Sequence, residues 1–155
     1  MRYLGVDYGE KRVGLAISDD DGQFSFPYKV FKNNNELLDS IHNICGEEGI
    51  GGIVLGLPEE RNKIYEKVLD FEKKIKEELG IKIYTEKEFM TSAYSGEQMS
   101  KDIFTDRKTK KDREVKDDSK AATFILQRFL DRINNKVWFY KILDNKYELC
   151  NFWRI

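Results

Sequence analysis

The chain has 155 residues, of which 40% are hydrophobic and 35% are charged, a balance that favours one folded domain over disorder throughout. Acidic and basic residues nearly cancel at 28 and 27, which excludes a protein-wide basic surface for nucleic acid. His42 is the only histidine, and Cys45 and Cys150 lack CxxC spacing, so a Cys/His zinc site is excluded. We expect a cytoplasmic protein with neither a signal peptide nor a membrane span.

The first 31 residues predict three strands joined by tight turns. Hydrophobic and polar side chains alternate over residues 2–7 and again over 12–18, with the period of a strand. The connection between these two strands is too short for a parallel crossover, so we expect them to be antiparallel. Residues 23–31 predict a third strand, and Pro27 places it at an edge of the sheet because proline cannot donate a ladder hydrogen bond.

Helices and strands alternate in the rest of the main domain. Asn35 is a candidate N-cap for a helix closing at Gly46, and a long helix ends at Gly80. Short apolar runs predict further strands at 53–55 and 81–84, and helices are expected after residue 91 and from Asp118. This order predicts an α/β fold with a mixed five-stranded sheet, three antiparallel strands followed by two parallel ones, flanked by helices.

The last twenty residues differ in composition from the domain before them. Residues 136–143 and 146–155 predict an aromatic β-hairpin, so we divide the chain into a domain over 1–134 and an extension over 135–155. An isolated hairpin is marginally stable, and we expect it to pack on its own domain. A contact with a second copy of the chain and a stacking platform for unpaired bases are the alternatives, so the chain is expected to be a monomer or a homodimer.

Several acidic residues fall where the predicted sheet would bring them to one edge. Asp7 ends the first strand, Glu86 and Glu88 follow the strand that starts at Ile81, and Asp117 and Asp118 open the last core helix. Clustered carboxylates favour a divalent cation, and hard oxygen ligands suit Mg²⁺ or Mn²⁺. Two such ions can catalyse phosphoryl displacement without histidine. The plainer interpretations are a turn residue, solvated loop acids and a helix cap.

A short stretch of the chain is strongly basic although the whole is not. A local patch of this kind can bind phosphate groups, and a solvated loop is the alternative interpretation. The basic residues of this loop are Arg107, Lys108, Lys110, Lys111 and Arg113.

Three segments resemble the YqgF-type family, whose members are described as Holliday junction resolvases or pre-16S ribosomal RNA nucleases. The first is LGVDYGEKRVGLAISD at 4–19, the second is Gly-Leu-Pro at 56–58, and the third is DSKAATFILQRFLD at 118–131. The resemblance covers about residues 1–134 and implies a ribonuclease H-like fold and a nuclease activity.

The resemblance also implies which residues act. Counting without gaps from Gly80, Glu88 takes the place of the catalytic Glu in the family motif D-E-R-L-[ST]-T, while Lys87 and Phe89 replace its Asp and Arg. The loop after Gly-Leu-Pro is also short, and it reads Glu-Glu-Arg-Asn at 59–62 where the family usually carries an Asn and several small polar residues. The implied catalytic residues and ligands of Mg²⁺ or Mn²⁺ are Asp7, Glu88 and Asp118, with Glu86 turned away or peripheral. Lys11, Arg12 and the basic loop are expected to face phosphates.

The resulting hypothesis is a two-metal endonuclease, a hydrolase that cuts phosphodiester bonds in structured nucleic acid. Its expected role is the processing of the 5′ end of pre-16S rRNA or the resolution of Holliday junctions. The alternative is a catalytically weak nucleic-acid-binding or assembly protein on the same fold. An ATP-binding protein of the actin and sugar-kinase type is disfavoured, because it needs two lobes around the nucleotide and 155 residues do not supply them.

Overall fold

A computed structural model describes residues 1–87 and 119–135 of the chain. The predicted helix after residue 91, the basic loop and the C-terminal hairpin lie outside these residues. The elements in chain order are β1 (Arg2–Tyr8), β2 (Arg12–Ser18), β3 (Ser25–Lys32), α1 (Leu37–Glu47), β4 (Ile50–Leu57), α2 (Tyr65–Leu79) and β5 (Lys82–Lys87). A further helix, α3, is described over 119–135.

The five strands form one mixed sheet in the order β3-β2-β1-β4-β5. β1 pairs antiparallel with β2, and β2 pairs antiparallel with β3. β1 and β4 are parallel, as are β4 and β5, so the C-terminal ends of these three strands share one edge of the sheet. The predicted mixed sheet of ribonuclease H-like type is confirmed, and Pro27 does lie on an edge strand.

Hydrophobic side chains of the strands alternate between two cores, one on each face of the sheet. Leu4, Val6 and Leu55 belong to the core that also contains the buried residues of α1 and α2. Val54 belongs to the opposite core, where Tyr3 and Tyr84 pack against α3. Odd-numbered residues of β1 and even-numbered residues of β4 and β5 therefore face α3.

The α3 helix runs antiparallel to β1. A Cβ built on Gly5 would lie 2.9 Å from the carbonyl oxygen of Ala122, while the ring of Tyr3, nearer the start of β1, lies 5.3 Å from that of Phe129. Further along, the side-chain amide of Asn134 donates to the carbonyl of Gly22, in the loop between β2 and β3. The N-terminal end of α3 is therefore directed towards the C-terminal end of β1.

Three element boundaries differ from the sequence-based expectation. Asn35 is not the N-cap of α1, because the helix begins after Glu36, which makes no side-chain cap hydrogen bond. Gly46 lies inside this helix, and the left-handed residue that follows the helix is Gly49, with φ 63°. β5 extends to Lys87, so Glu86 lies within the strand and not after it. The expected end of α2 at Gly80 is confirmed, with φ 61°.

In the described part of the chain, no helix combines the length and apolar character that a membrane span requires.

Candidate active site at the C-terminal edge of the sheet

Asp7 lies at the C-terminal edge of the sheet, one residue before the end of β1. It is half-buried and shares the face of Tyr3 and Gly5, which is the face that α3 covers. β1 is a central strand, so its backbone is hydrogen-bonded to β2 on one side and to β4 on the other. The sheet therefore places this carboxylate on a rigid support, as a metal ligand or catalytic group requires.

Glycines flank Asp7 on both neighbouring strands. Asp7 pairs with Gly14 of β2, and Gly56 of β4 follows directly after the Val6–Leu55 pair on the other side. Both glycines are buried, and Gly56 shares the face of Val54. Glycine within a strand often marks a site where a ligand or another backbone approaches closely. The sequence analysis did not identify these two glycines as part of the site, although both are visible in the sequence.

The tight turn after β1 brings two predicted phosphate-binding residues to the same edge. The amide of Gly9 donates to the carbonyl of Arg12 at 3.0 Å, and a Cβ on Gly9 would lie 2.6 Å from that oxygen. Lys11 is exposed at the turn and Arg12, the first residue of β2, is half-buried. Both basic residues therefore lie at the same edge of the sheet as Asp7, across the turn between β1 and β2.

Glu10 occupies the tip of this turn and binds a lysine of α2. Lys67 Nζ lies 2.7 Å from Glu10 Oε1. The hydrogen bond and charge of Lys67, with smaller effects from Lys11 and Lys63, lower the pKa of the Glu10 carboxyl group. The basic side chains near this turn are thus Lys11 in the turn itself, Lys63 just before α2 and Lys67 in α2.

Glu86 is not the solvated loop acid of the plainer interpretation, and of the two expected placements, turned away or peripheral to Asp7, the structure gives the peripheral one. It is 9% exposed, on the α3 face of β5, and pairs with Gly56 in the ladder. Its Oε2 lies 2.7 Å from Arg132 Nη2, and its Oε1 lies 3.5 Å from Arg128 Nη2. Glu86 is therefore level with Asp7 but two strand spacings, about 10 Å, away from it. A buried carboxylate needs such partners, and the sequence did not reveal them.

The other predicted catalytic residues lie outside the described residues. These are Glu88, which follows β5, and Asp118, which precedes the first described residue of α3; Asp117 and the basic loop are not described either. Within residues 1–87 and 119–135, no three His, Cys, Asp or Glu side chains come together as a metal site. Asp7 is thus the one predicted ligand whose position the structure gives.

The sheet order, together with a carboxylate at the end of β1 and a helix across the same face, defines the ribonuclease H-like class. Within this class, the chain belongs to the RuvX family, described as Holliday junction resolvase, whose sequence model matches residues 1–132. The resemblance to the YqgF-type family is thereby confirmed.

Relatives from three bacteria cover most of the chain, and each carries the name "Putative pre-16S rRNA nuclease". The protein of Maridesulfovibrio salexigens is 36% identical over 85% of this chain and 99% of its own length. That of Clostridium botulinum strain Hall is 35% identical, over 86% and 99%. That of Oleidesulfovibrio alaskensis is 30% identical, over 84% and 92%.

Among solved structures, RuvC of T. thermophilus in complex with a Holliday junction substrate matches with a TM-score of 0.41 and 17% identity. The match covers 56% of this chain and 64% of that one.

Proposed function

We propose that this protein is a metal-dependent nuclease that hydrolyses phosphodiester bonds in structured nucleic acid. The observation that carries the proposal is the position of Asp7. Its carboxylate stands between Gly14 and Gly56 at the C-terminal edge of the sheet, and the N-terminal end of α3 is directed towards it. Membership in the RuvX family supports the same activity.

Asp7, Glu88 and Asp118 are the residues that would hold the metal ions in this proposal. Glu88 follows Lys87, the last residue of β5 at this edge, and Asp118 precedes residue 119 at the N-terminal end of α3. All three offer carboxylate oxygens, the ligands that Mg²⁺ and Mn²⁺ prefer. Glu86 is a poor substitute for Glu88, because Arg132 and Arg128 already bind its carboxylate.

When bound, divalent ions supply a water of lowered pKa and stabilise the charge that develops on the phosphoryl oxygens. The chain itself provides the rigid carboxylate of Asp7 and the space beside its two flanking glycines. Lys11 and Arg12, at the adjoining turn, would bind the phosphates that flank the scissile bond, and the basic loop over 107–113 would extend this contact. This mechanism needs no histidine as a general base, which agrees with a sequence whose single histidine is His42.

Two substrates are proposed for this site. The names of the relatives favour the 5′ end of pre-16S rRNA, and the family description favours a four-way DNA junction. The two differ in geometry, because a junction is cut symmetrically on two strands and favours a homodimer, whereas trimming of one RNA strand needs only a monomer. Light scattering of the purified protein, alone and with each substrate, measures this difference.

The direct test is a cleavage panel with the full chain. Precursor ribosomal RNA, single-stranded RNA and a four-way DNA junction are each incubated with Mg²⁺, with Mn²⁺ and with EDTA. The nuclease proposal predicts products from at least one substrate with a metal ion and none with EDTA. Binding of a substrate without cleavage under every metal condition would instead support the alternative, a nucleic-acid-binding or assembly protein. The replacement of the family's Asp and Arg by Lys87 and Phe89 is the feature that favours this alternative.

A further inference from the structure

A second charged surface lies beside the candidate active site, where α3 packs against the edge strand β5. Lys82 Nζ lies 5.1 Å from the centroid of the Tyr84 ring, which packs 4.8 Å from the ring of Phe129. Arg132 Cζ lies 5.4 Å from the same Phe129 ring. We call the surface formed by Lys82, Arg128 and Arg132 the β5–α3 surface.

The β5–α3 surface carries more positive than negative charge. Glu86 contributes one carboxylate against three cationic side chains. Asp131 neighbours Arg132 in sequence, but its Oδ1 accepts a hydrogen bond from Gln127. The same Gln127 amide binds the backbone near the start of β3, so Asp131 is engaged on the opposite side of α3.

Glu86 holds the two arginines in fixed positions. It accepts from Arg132 at 2.7 Å, and Arg128 is fixed a second time by the carbonyl of Lys87, at 3.3 Å from Nη1. A guanidinium carries five N–H donors in a planar fork, which suits phosphate oxygens. The side chains of Arg128 and Arg132 are 44% and 47% exposed, so part of each fork faces solvent.

Protection of an edge strand is the plainer role of the lysines on β5. Charged residues on an edge oppose pairing with another chain, which accounts for Lys82 and Lys87. It does not account for Arg128 and Arg132, which project from a helix and not from the strand edge. A fixed pair of half-exposed arginines on the same face as Lys82 is better suited to a polyanion.

The surface is continuous with the edge that holds Asp7. Glu86 is level with Asp7, and β5 runs back from there to Lys82 over about 13 Å. Successive phosphates of one strand of a duplex are spaced by about 3.4 Å along its axis, so this length would span about four of them. We propose that the β5–α3 surface binds the phosphate backbone of the nucleic acid whose scissile bond lies at Asp7. This inference rests on the proposed nuclease function.

The test measures binding in EDTA, where no cleavage is expected. A labelled duplex RNA and a duplex DNA of the same sequence are titrated with the full chain over a series of salt concentrations. The variant Lys82→Gln/Arg128→Gln is compared with the control Lys29→Gln/Lys74→Gln, which removes two exposed lysines from β3 and α2. Arg132 is kept, because its loss would remove the closest partner of buried Glu86.

The proposal predicts that the test variant binds more weakly and that its salt slope falls by up to about 0.9 for each phosphate that is no longer bound, while the control stays close to wild type. If this double variant unfolds early, Lys82→Gln replaces it, and a smaller fall in the salt slope is then expected. Equal weakening of binding in test and control, or unchanged binding by the test variant, would overturn the proposal, as would a wild-type chain that binds neither duplex.

Comparison of the two duplexes shows whether RNA, DNA or both are held. A wild-type chain that binds through this surface but cuts nothing would contradict only the nuclease proposal.

Discussion

Gly5 in β1 lies so close to α3 that a Cβ built on it would be 2.7 Å from the Cβ of Leu126. The carbonyl oxygen of Ala122 would lie 2.9 Å from the same atom. One neighbour is a Cβ atom and the other is a backbone oxygen, so neither can move aside unless the helix itself shifts. The close packing of α3 on the centre of the sheet, and hence the approach of its N-terminal end to Asp7, depends on glycine here.

Substitution of Gly5 by alanine should therefore destabilise the protein. Overpacking of a tight core costs about 1–3 kcal/mol, which urea denaturation would show as a lower free energy of unfolding. Gly46→Ala is the matched control, because it lies inside α1 and nothing lies within 4 Å of its Cβ position. This control should gain about 0.5–1 kcal/mol from helix propensity. Equal stability of Gly5→Ala and wild type would contradict the packing described for α3.

The ion pair between Glu86 and Arg132 should be worth more than that between Glu86 and Arg128. Arg132→Met removes the partner at 2.7 Å from a carboxylate whose side chain is only 11% exposed. Loss of a hydrogen-bond partner to a buried polar group costs about 1–3 kcal/mol. Arg128→Met removes a partner at 3.5 Å and should cost less in the same urea titration. A smaller loss for Arg132→Met than for Arg128→Met would show that Glu86 is held differently.

Cys45 should be unreactive in the folded protein. Cys45 is a buried residue of α1, and this burial raises the pKa of its thiol to about 11, so almost none is thiolate at pH 8. Alkylation of the Cys45 peptide, followed by mass spectrometry, should be slow in buffer and fast in denaturing urea. Rapid labelling under native conditions would mean that the core around α1 opens readily.

Asp19 should make the protein sensitive to acid. Its carboxylate accepts hydrogen bonds from the backbone amides of Phe24 and Gln23, which lower the pKa of the carboxyl group in the folded state. A lowered pKa stabilises the fold above the ordinary value of aspartate, near pH 4, and this contribution is lost as the pH falls towards the folded-state value. The melting temperature of Asp19→Asn should therefore fall less between about pH 5 and pH 3 than that of wild type. Asp21→Asn, in the same loop, is the control and should follow the wild-type curve.

The sequence predicted the sheet well because its signals are local. The alternation over 2–7 and 12–18, the short turn between them and Pro27 determine strand pairing and edge position without reference to distant residues. Asp7 was found in the same way, because it ends a strand whose C-terminal end lies at the shared edge. The family membership was equally readable, since its motifs are short and contiguous.

The environment of Glu86 could not be predicted, because it depends on contacts between distant parts of the chain. Its partner Arg132 is 46 residues away in sequence and is brought to it by the packing of α3. The end of β5 was missed for a related reason. Thr85 and Lys87 are exposed on an edge strand, so the hydrophobic alternation that marks a strand stops before the strand does.

The central claim, that Asp7 is a metal ligand of a nuclease, is tested most directly by the variant Asp7→Asn. Cleavage of the best substrate is measured against Mg²⁺ and Mn²⁺ concentration for wild type, Asp7→Asn and the control Asp70→Asn, an exposed aspartate of α2. The account predicts metal-dependent cleavage by wild type and control. For Asp7→Asn it predicts cleavage at background level with a melting temperature close to that of wild type, because the two side chains have nearly the same size and no cavity is created. Cleavage by Asp7→Asn at the wild-type rate would contradict it.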